Sequence, residues 1–358
     1  MKKKTTSWLD ELDFRLRAGR RNNTKPFTFG KDQRALVWRT ASRAPEVLLK
    51  VSGSGTSINQ VYRHMTYLTR NGKLEALTEK GDKISSRDEL HELVDEWDLE
   101  STRKFGRVKL AFNLVLSMPS GTDAHKLHQA VKEFARDQFW DKHQYVFVLH
   151  EDKDHPHVHI CVKAQETDSK KRLYIRKATL ETWRGAFATK LREQGVEANA
   201  TPRDLRGATR RPQKIGLYHA ERAGRSTVLA SKIKEIAVAV QQGEQGRGAW
   251  TMAIAKRRMF VVKLYQKAAD ELRHAGDKEL AHAVETFAAS LPPVITERDN
   301  LGAKLIRRVE ENRARRNAEK TSARDEKVKV VHDIDHPIRR PAVKQQPMPE
   351  HGEDERER

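Results

Sequence analysis

Residues 144–164 constrain this chain more than any other stretch. Two apolar runs, Gln144–His150 and Pro156–Ala164, flank the short polar segment Glu151-Asp152-Lys153-Asp154-His155. Runs of this length, rich in valine, phenylalanine and isoleucine and so closely spaced, read as an antiparallel β-hairpin. With residues 151–156 as its loop, His150 pairs across the hairpin with His157. Side chains alternate along a strand, so His157 and His159 project to the same face. Directly opposed residues have Cβ atoms about 5 Å apart, and diagonal neighbours lie only slightly farther off. Three imidazoles thus converge on one face. Such a set binds a divalent metal and leaves coordination positions open to a substrate oxygen. His155, in the turn before Pro156, is expected to be exposed. Cys161 falls on the histidine face by alternation and reads as a small buried residue.

Around this hairpin the pattern mixes strands and helices without a βαβ rhythm. Val47–Val51 reads as a strand ended by Gly53 and Gly55, and Ser57–Thr69 as a helix. Asn71-Gly72 turns into a weak hairpin starting at Lys73–Thr78. A helix from Ser86 or Arg87 to Trp97 carries a possible capping box, Ser86 with Glu89. Val108–Ser117 is strand-like, Ala124–Phe139 is an amphipathic helix, Arg172–Ile175 reads as a short strand, and Leu180–Glu193 as a helix. The fold class is α+β, a central mainly antiparallel sheet with flanking helices. Beyond about Ser226 four helical stretches follow: Val228–Val240, Trp250–His274, Lys278–Leu291 and Ile295–Arg316. Residues 321–358 hold 8 basic and 9 acidic residues and four of the twelve prolines. They read as a disordered charged tail. The expected organisation is a basic N-terminal arm (1–44), an α+β domain (45–225), a helical accessory region (226–320) and the tail (321–358).

Charge narrows the partners. The chain has 70 Lys+Arg against 50 Asp+Glu, a formal net charge of +20, which favours a polyanion. Residues 1–50 hold 13 basic and 5 acidic residues, whereas residues 51–100 hold 6 and 10. A second basic segment carries Arg203, Arg206, Arg210, Arg211, Lys214, Arg222 and Arg225 against Asp204 and Glu221. These two regions are the candidate phosphate contacts. The single cysteine excludes a disulfide framework and a thiolate zinc finger. No apolar run is long enough to span a bilayer, and no apolar h-region follows Met1-Lys2-Lys3-Lys4. The basic residues are not gathered on one face of an apolar helix, so a membrane-surface role is the weakest reading. A soluble cytoplasmic protein that binds nucleic acid is expected.

On the helix of residues 57–69, at about 100° per residue, Ile58, Val61, Tyr62, Met65 and Leu68 form one apolar stripe. Tyr67 falls nearly opposite its centre. Tyr62 therefore reads as core, while Tyr67 points into solvent or a cleft. A phenol with a pKa near 10 is a poor nucleophile until its surroundings favour the phenolate. Arg70, Gly72 and Lys73 beside Tyr67 suit a site that handles phosphate.

Taken together, these stretches resemble the relaxases, the HUH endonucleases that nick plasmid transfer origins. The nearest branch is the MobP-type one, that of the T-DNA border endonucleases. The HUH element is His157-Val158-His159, preceded by His150-Glu151-Asp152 and Pro156. The tyrosine motif is Tyr67-Leu68-Thr69-Arg70-Asn71-Gly72-Lys73-Leu74. A middle motif is Ser117-Met118-Pro119-Ser120-Gly121-Thr122-Asp123. The resemblance covers about residues 45–225; the arm before it, the helical region and the tail lie outside.

This resemblance implies a conjugative plasmid relaxase. Tyr67 would attack the scissile phosphate of one strand at the transfer origin, leaving a 5′-phosphotyrosyl link and a free 3′-hydroxyl, with religation ending transfer. His150, His157 and His159 would hold a divalent metal. Asp152 would orient a histidine or assist proton transfer, and His150 doubles as a candidate base. Ser117, Arg70, Lys73, Arg206, Arg210 and Arg211 are the candidate DNA contacts. Imidazoles alone suit zinc, nickel or manganese, whereas the resemblance points to magnesium or manganese. The implied partners are single-stranded or supercoiled transfer-origin DNA, accessory proteins of the relaxosome and a type IV secretion coupling protein, with no membrane insertion. The implied location is the bacterial cytoplasm, followed by passage to the recipient cell attached to DNA. Two other readings stay open on the residues alone. One is a non-catalytic DNA-binding mobilisation protein with a structural metal site, the other a metal-dependent phosphoesterase without a covalent step.

Overall fold

A computed structural model describes residues 29–99, 108–208, 215–242 and 249–334. Six strands form one antiparallel sheet in the order β1-β4-β6-β5-β2-β3. They are β1 (Leu48–Gly55), β2 (Ala76–Thr78), β3 (Lys83–Ile84), β4 (Ala111–Ser117), β5 (Tyr145–His150) and β6 (His157–Lys163). Helices α1 (Lys31–Ala41), α2 (Ile58–Leu68), α3 (Arg87–Glu96), α4 (Ala124–Phe139) and α5 (Lys177–Glu193) are interspersed. The fold is α+β, as the sequence pattern implies.

The sheet is buried on both faces, which is why β4 and β5 are apolar almost throughout. Leu49, Leu114, Leu116, Phe147, Val158 and Ile160 face one way, onto Phe134 and Phe139 of α4 and Trp183 and Phe187 of α5. Val146, Val148 and Cys161 face the other way, onto Val61, Met65 and Leu68 of α2 and Leu90 and Trp97 nearby. The histidine face of the hairpin is therefore the face that α2 covers. Ser57 caps α2 by accepting from the Gln60 N–H, and the Ser86–Glu89 capping box opens α3.

The structure departs from the sequence reading of β1. The strand does not stop at Gly53 but runs to Gly55, with a register shift between Val51 and Gly53. Glycine at a bulge bends a strand without ending it. A Cβ on Gly55 would lie 2.6 Å from a Val61 methyl, so this glycine is what lets α2 close onto the sheet. The short strand expected at Arg172–Ile175 is absent. Only an isolated bridge, Gln165 to Arg172, remains there, because Leu173 and Ile175 pack sideways onto the α4–α5 core.

Contacts group the described residues into two units, one of residues 29–208 and 249–295, the other of residues 215–242 and 296–334. The first unit includes, besides the sheet, α8 (Ala249–His274) and α9 (Lys278–Ala289). These pack with α1 around Val37, Val261, Tyr265 and Phe287. The Tyr265 hydroxyl donates to the Leu205 carbonyl at 3.0 Å. The second unit contains α6 (Ile215–Arg222), α7 (Thr227–Gln241) and α10 (Glu297–Ile334), with Lys232–Glu297 and Arg298–Glu235 ion pairs joining α7 to α10. The polyampholyte stretch starting at Thr321 was expected to be disordered, yet α10 carries helical backbone through it to Ile334. Arg307–Glu311 and Arg315–Glu319 pairs one turn apart support the preceding turns. Residues 335–358 lie outside the described residues, as do 1–28 of the basic arm. Among the described residues no helix is long and apolar enough to cross a membrane.

Candidate active site

The β5–β6 register pairs His150 with His157 and Val148 with His159, so all three imidazoles share one face. Their rings lie 4.7–5.2 Å apart centroid to centroid, and one nitrogen of each falls within 4.8 Å of the others. Backbone carbonyls fix two of the tautomers. His150 Nε2–H donates to the Leu68 carbonyl at 2.7 Å, which leaves Nδ1 bare. His157 Nδ1–H donates to the His155 carbonyl at 3.3 Å, which leaves Nε2 bare. His159 Nδ1 is buried without a partner.

Burial lowers the pKa of all three rings below the ordinary histidine value. His159 is pushed down to about 3, chiefly by burial and then by His150, His157 and His64. Neutral imidazoles with bare, convergent nitrogens are the protonation state a divalent cation needs, so the residues present fit such an ion. His155 is exposed and lies outside the triad. Cys161 sits deeper on the same face, its thiol pushed up to about 12 by complete burial, and does not join the cluster.

The C-terminus of α2 brings the tyrosine to this triad. The Leu68 carbonyl that holds His150 belongs to the residue after Tyr67. Tyr67 itself is 60% exposed. Arg70, Asn71 and Gly72 all take positive φ (53°, 64° and 84°). A Cβ on Gly72 would come within 3.3 Å of the Ser85 carbonyl and Ser86 Cα, so that position is closed to other residues. Three left-handed residues in a row fold the chain sharply back. Arg70 then lies over the Tyr67 ring, 5.5 Å from its centroid, and forms an ion pair with Asp152. Asp152 in turn has an oxygen 4.0 Å from His150 Nδ1. Slight desolvation pushes the Asp152 carboxyl up, but Arg70, His150 and its own backbone N–H outweigh it and hold the group below the ordinary carboxylate range. An ionised Asp152 therefore stands beside the triad, where it favours a bound cation.

Of the residues singled out in the sequence, Tyr67, Arg70, Asp152, His150, His157 and His159 come together. Ser117 pairs with His157 across β4–β6 and is buried; its hydroxyl is within hydrogen-bond reach of the Pro156 and Met118 carbonyls at 3.2 and 3.3 Å. Lys73 is exposed beyond the turn. Arg206 is held elsewhere, donating to the Thr201 carbonyl at 3.1 Å and lying 3.6 Å from Glu46. Arg210 and Arg211 lie outside the described residues. Tyr62, read as core, is only half-buried. Its ring rests on His91 at 4.2 Å and borders a cavity, because it occupies the edge of the apolar stripe.

Sequence reasoning missed His64. Its ring lies 6.5 Å from that of Tyr67, its Nε2 is buried without a partner, and burial lowers its pKa. The signal was its position one turn before Leu68, on the flank of α2 that meets the hairpin. Arg63 and Arg87, both at the cavity beside Tyr67, were missed as well.

Comparison with known proteins places this site in context. Residues 67–196 match the family model described as relaxase, MobA/VirD2-like, nuclease domain. That segment starts at Tyr67, includes the whole histidine hairpin and ends just past α5. The chain is 27% identical over 211 residues to the T-DNA border endonuclease VirD2 of Rhizobium radiobacter, covering 54% of this chain and 49% of that protein. It is 28% identical over 195 residues to the protein of the same name from Agrobacterium fabrum, covering 49% and 44%. The chain thus spans about half the length of the curated relatives it matches.

Proposed function

We propose that this protein, whose residues 67–196 match the relaxase nuclease-domain family model, nicks one strand of transfer-origin DNA through Tyr67. The observation that carries the reading is the joining of two distant segments. The Leu68 carbonyl holds His150, and Arg70 bridges Tyr67 to Asp152. An exposed phenol, a cation and a triad of convergent imidazoles are thereby linked through direct contacts.

The Tyr67 oxygen attacks the scissile phosphorus as the bond to the 3′-oxygen breaks. The product is a 5′-phosphotyrosine and a 3′-hydroxyl, with the phenolic proton leaving Tyr67 and a proton arriving at the departing oxygen. Arg70, above the ring, attracts the phosphate. Asp152 positions Arg70 and sets the charge beside His150. His150, His157 and His159 would hold a divalent cation, whose charge offsets that of the phosphate oxygens when bound. Manganese satisfies both the imidazole donor set and the relaxase resemblance. Lys73 and the segment with Arg210 and Arg211 supply further DNA contacts, whereas Ser117, buried, and Arg206, held by Thr201 and Glu46, serve the fold. The reverse attack by a 3′-hydroxyl religates the strand. In this reading the protein works in the bacterial cytoplasm with accessory proteins of the origin complex, and a type IV secretion coupling protein receives it attached to DNA.

The test uses labelled single strands tiled across the DNA flanking the protein's own gene. With manganese present, one strand should give a covalent adduct that survives denaturing electrophoresis and maps to Tyr67. Tyr67→Phe should abolish it while binding persists. Cleavage that survives Tyr67→Phe would mean a phosphoesterase without a covalent step; binding without cleavage by the unaltered chain would mean a non-catalytic mobilisation protein.

A further inference from the structure

Tyr67 has a second neighbour. On the side of α2 away from the triad lies a cavity of about 460 Å³, bordered by Tyr62, Arg63, Thr66, the Tyr67 ring, Arg70 and Arg87. Its position follows from helical geometry. At about 100° per residue, Leu68, which touches His150, sits on one flank of Tyr67, while Arg63, Thr66 and Tyr62 sit on the other. Tyr67 thus borders this cavity, while the residue after it holds His150.

The lining has the chemistry of a nucleotide. Tyr62 stands at the rim, braced by His91, and with Tyr67 it offers aromatic surface for a base. Arg63 and Arg87 offer guanidinium groups for a phosphate. Among the described residues neither forms a salt bridge. Arg63 donates to the Asn59 carbonyl at 3.3 Å, and Arg87 donates to the neutral Asn71 side chain at 2.8 Å. Arg87 is moreover the first residue of α3, where the helix dipole already makes the potential positive. Glu89 in that first turn is engaged with the backbone N–H groups of Ser85 and Ser86. Two guanidinium groups without an acidic partner beside paired aromatics await an anion that carries a ring. The volume fits one nucleotide unit.

We infer that this cavity receives the first nucleotide on the 3′ side of the nick, its base against Tyr62 and its following phosphate on Arg63 and Arg87. The inference rests on the nicking reading and deepens it. In-line displacement puts the departing 3′-oxygen on the far side of phosphorus from the Tyr67 oxygen, so the nucleotide bordering the ring is the one Tyr67 retains. Seating that nucleotide holds the phosphodiester against the nucleophile before the reaction, and holds the 5′ end in register for religation afterwards.

The experiment uses the full chain and the strand that gives the adduct. In a Tyr67→Phe background, which keeps the ring and prevents turnover, affinity is measured for three strands: unmodified, abasic at the first position 3′ of the nick, and methylphosphonate at the next linkage. Each modification should weaken binding about tenfold. An abasic site several nucleotides away should change it less than twofold. Adding Arg63→Gln and Arg87→Gln, both exposed and outside the core, should weaken binding to the unmodified strand and erase the methylphosphonate effect. A methylphosphonate penalty undiminished in that variant, or an abasic penalty equal at both positions, overturns the pocket while adduct formation by the Tyr67 protein leaves nicking intact. Failure of the Tyr67 protein to form any adduct removes the nicking reading and this inference with it.

Discussion

His159 should be a residue that the protein keeps at the expense of stability. Its Nδ1 is buried with no partner and burial drives its pKa to about 3, so the ring forfeits hydration without a compensating hydrogen bond. An unsatisfied buried polar atom costs about 1–3 kcal/mol. Its cross-strand neighbours on that face, Val115 and Val148, are both buried and apolar. His159→Leu, of similar volume, should therefore stabilise the metal-free protein by about 1–2 kcal/mol, a rise in Tm of about 2–8 °C for a unit of this size. Saturating manganese, at a hundred times Kd, should stabilise the unaltered protein by about 2.7 kcal/mol, and that gain should vanish in the variant. Scanning calorimetry in chelator and in a manganese series measures both. A lower Tm for His159→Leu in chelator would refute the argument from the orphaned nitrogen. A surviving manganese shift would refute the ligand assignment.

Three further outcomes follow from the same geometry. Gly55→Ala drives a methyl into Val61 and should cost about 1–3 kcal/mol of stability and lower adduct yield by displacing α2; Val61→Ala should restore part of both, and an unchanged Tm would show that the closeness of α2 to β1 is not needed. His64, His128, His143, His150, His157 and His159 all have pKa values lowered mainly by burial. The unfolded chain therefore takes up protons first, and the stability these rings contribute is present above about pH 6.5 and lost as pH falls through their folded values. In chelator, Tm should decline steadily from pH 7 to 5, and a flat profile would contradict their burial. Asp152→Asn breaks an exposed, solvent-screened ion pair, so Tm should hardly move. Adduct formation should nevertheless fall at least tenfold as Arg70 loses its anchor, and a normal rate would detach Asp152 from the chemistry.

The histidine hairpin was legible because two constraints coincide there: a short polar turn fixes the pairing, and a period of two then decides which side chains share a face. Tyr67 was legible for a related reason, since a residue opposite a clear apolar stripe cannot be core. Other features depend on contacts that no local pattern encodes. Gly53 and Gly55 look like strand terminators, and only the approach of Val61 shows why β1 needs a glycine at its end. Arg172–Ile175 has strand-like residues, but it bridges only Gln165 beyond the end of β6, and its apolar side chains pack onto the core at α4 and α5. Tyr62 lies at the margin of its stripe, where a helical wheel cannot tell the core from the lip of a cavity. Arg87 comes from another helix, and no periodicity links it to Tyr67. The helix through Thr321–Ile334 escaped notice because its charges, balanced in sign, look alike in a solvated helix and in a coil.

The hydrogen bond from His150 to the Leu68 carbonyl crosses 82 positions of the chain, and this has a bearing on how such a site could be transplanted or evolve. The histidine hairpin grafted alone onto another sheet would carry its three imidazoles but not the acceptor that fixes the tautomer of the first. A tyrosine helix grafted alone would lose the anchor of its last turn. Each half is incomplete as a part, so natural variation or engineering that shifts the pitch of α2 by a single residue must retune the hairpin in the same step. The tyrosine turn and the histidine triad form one structural piece.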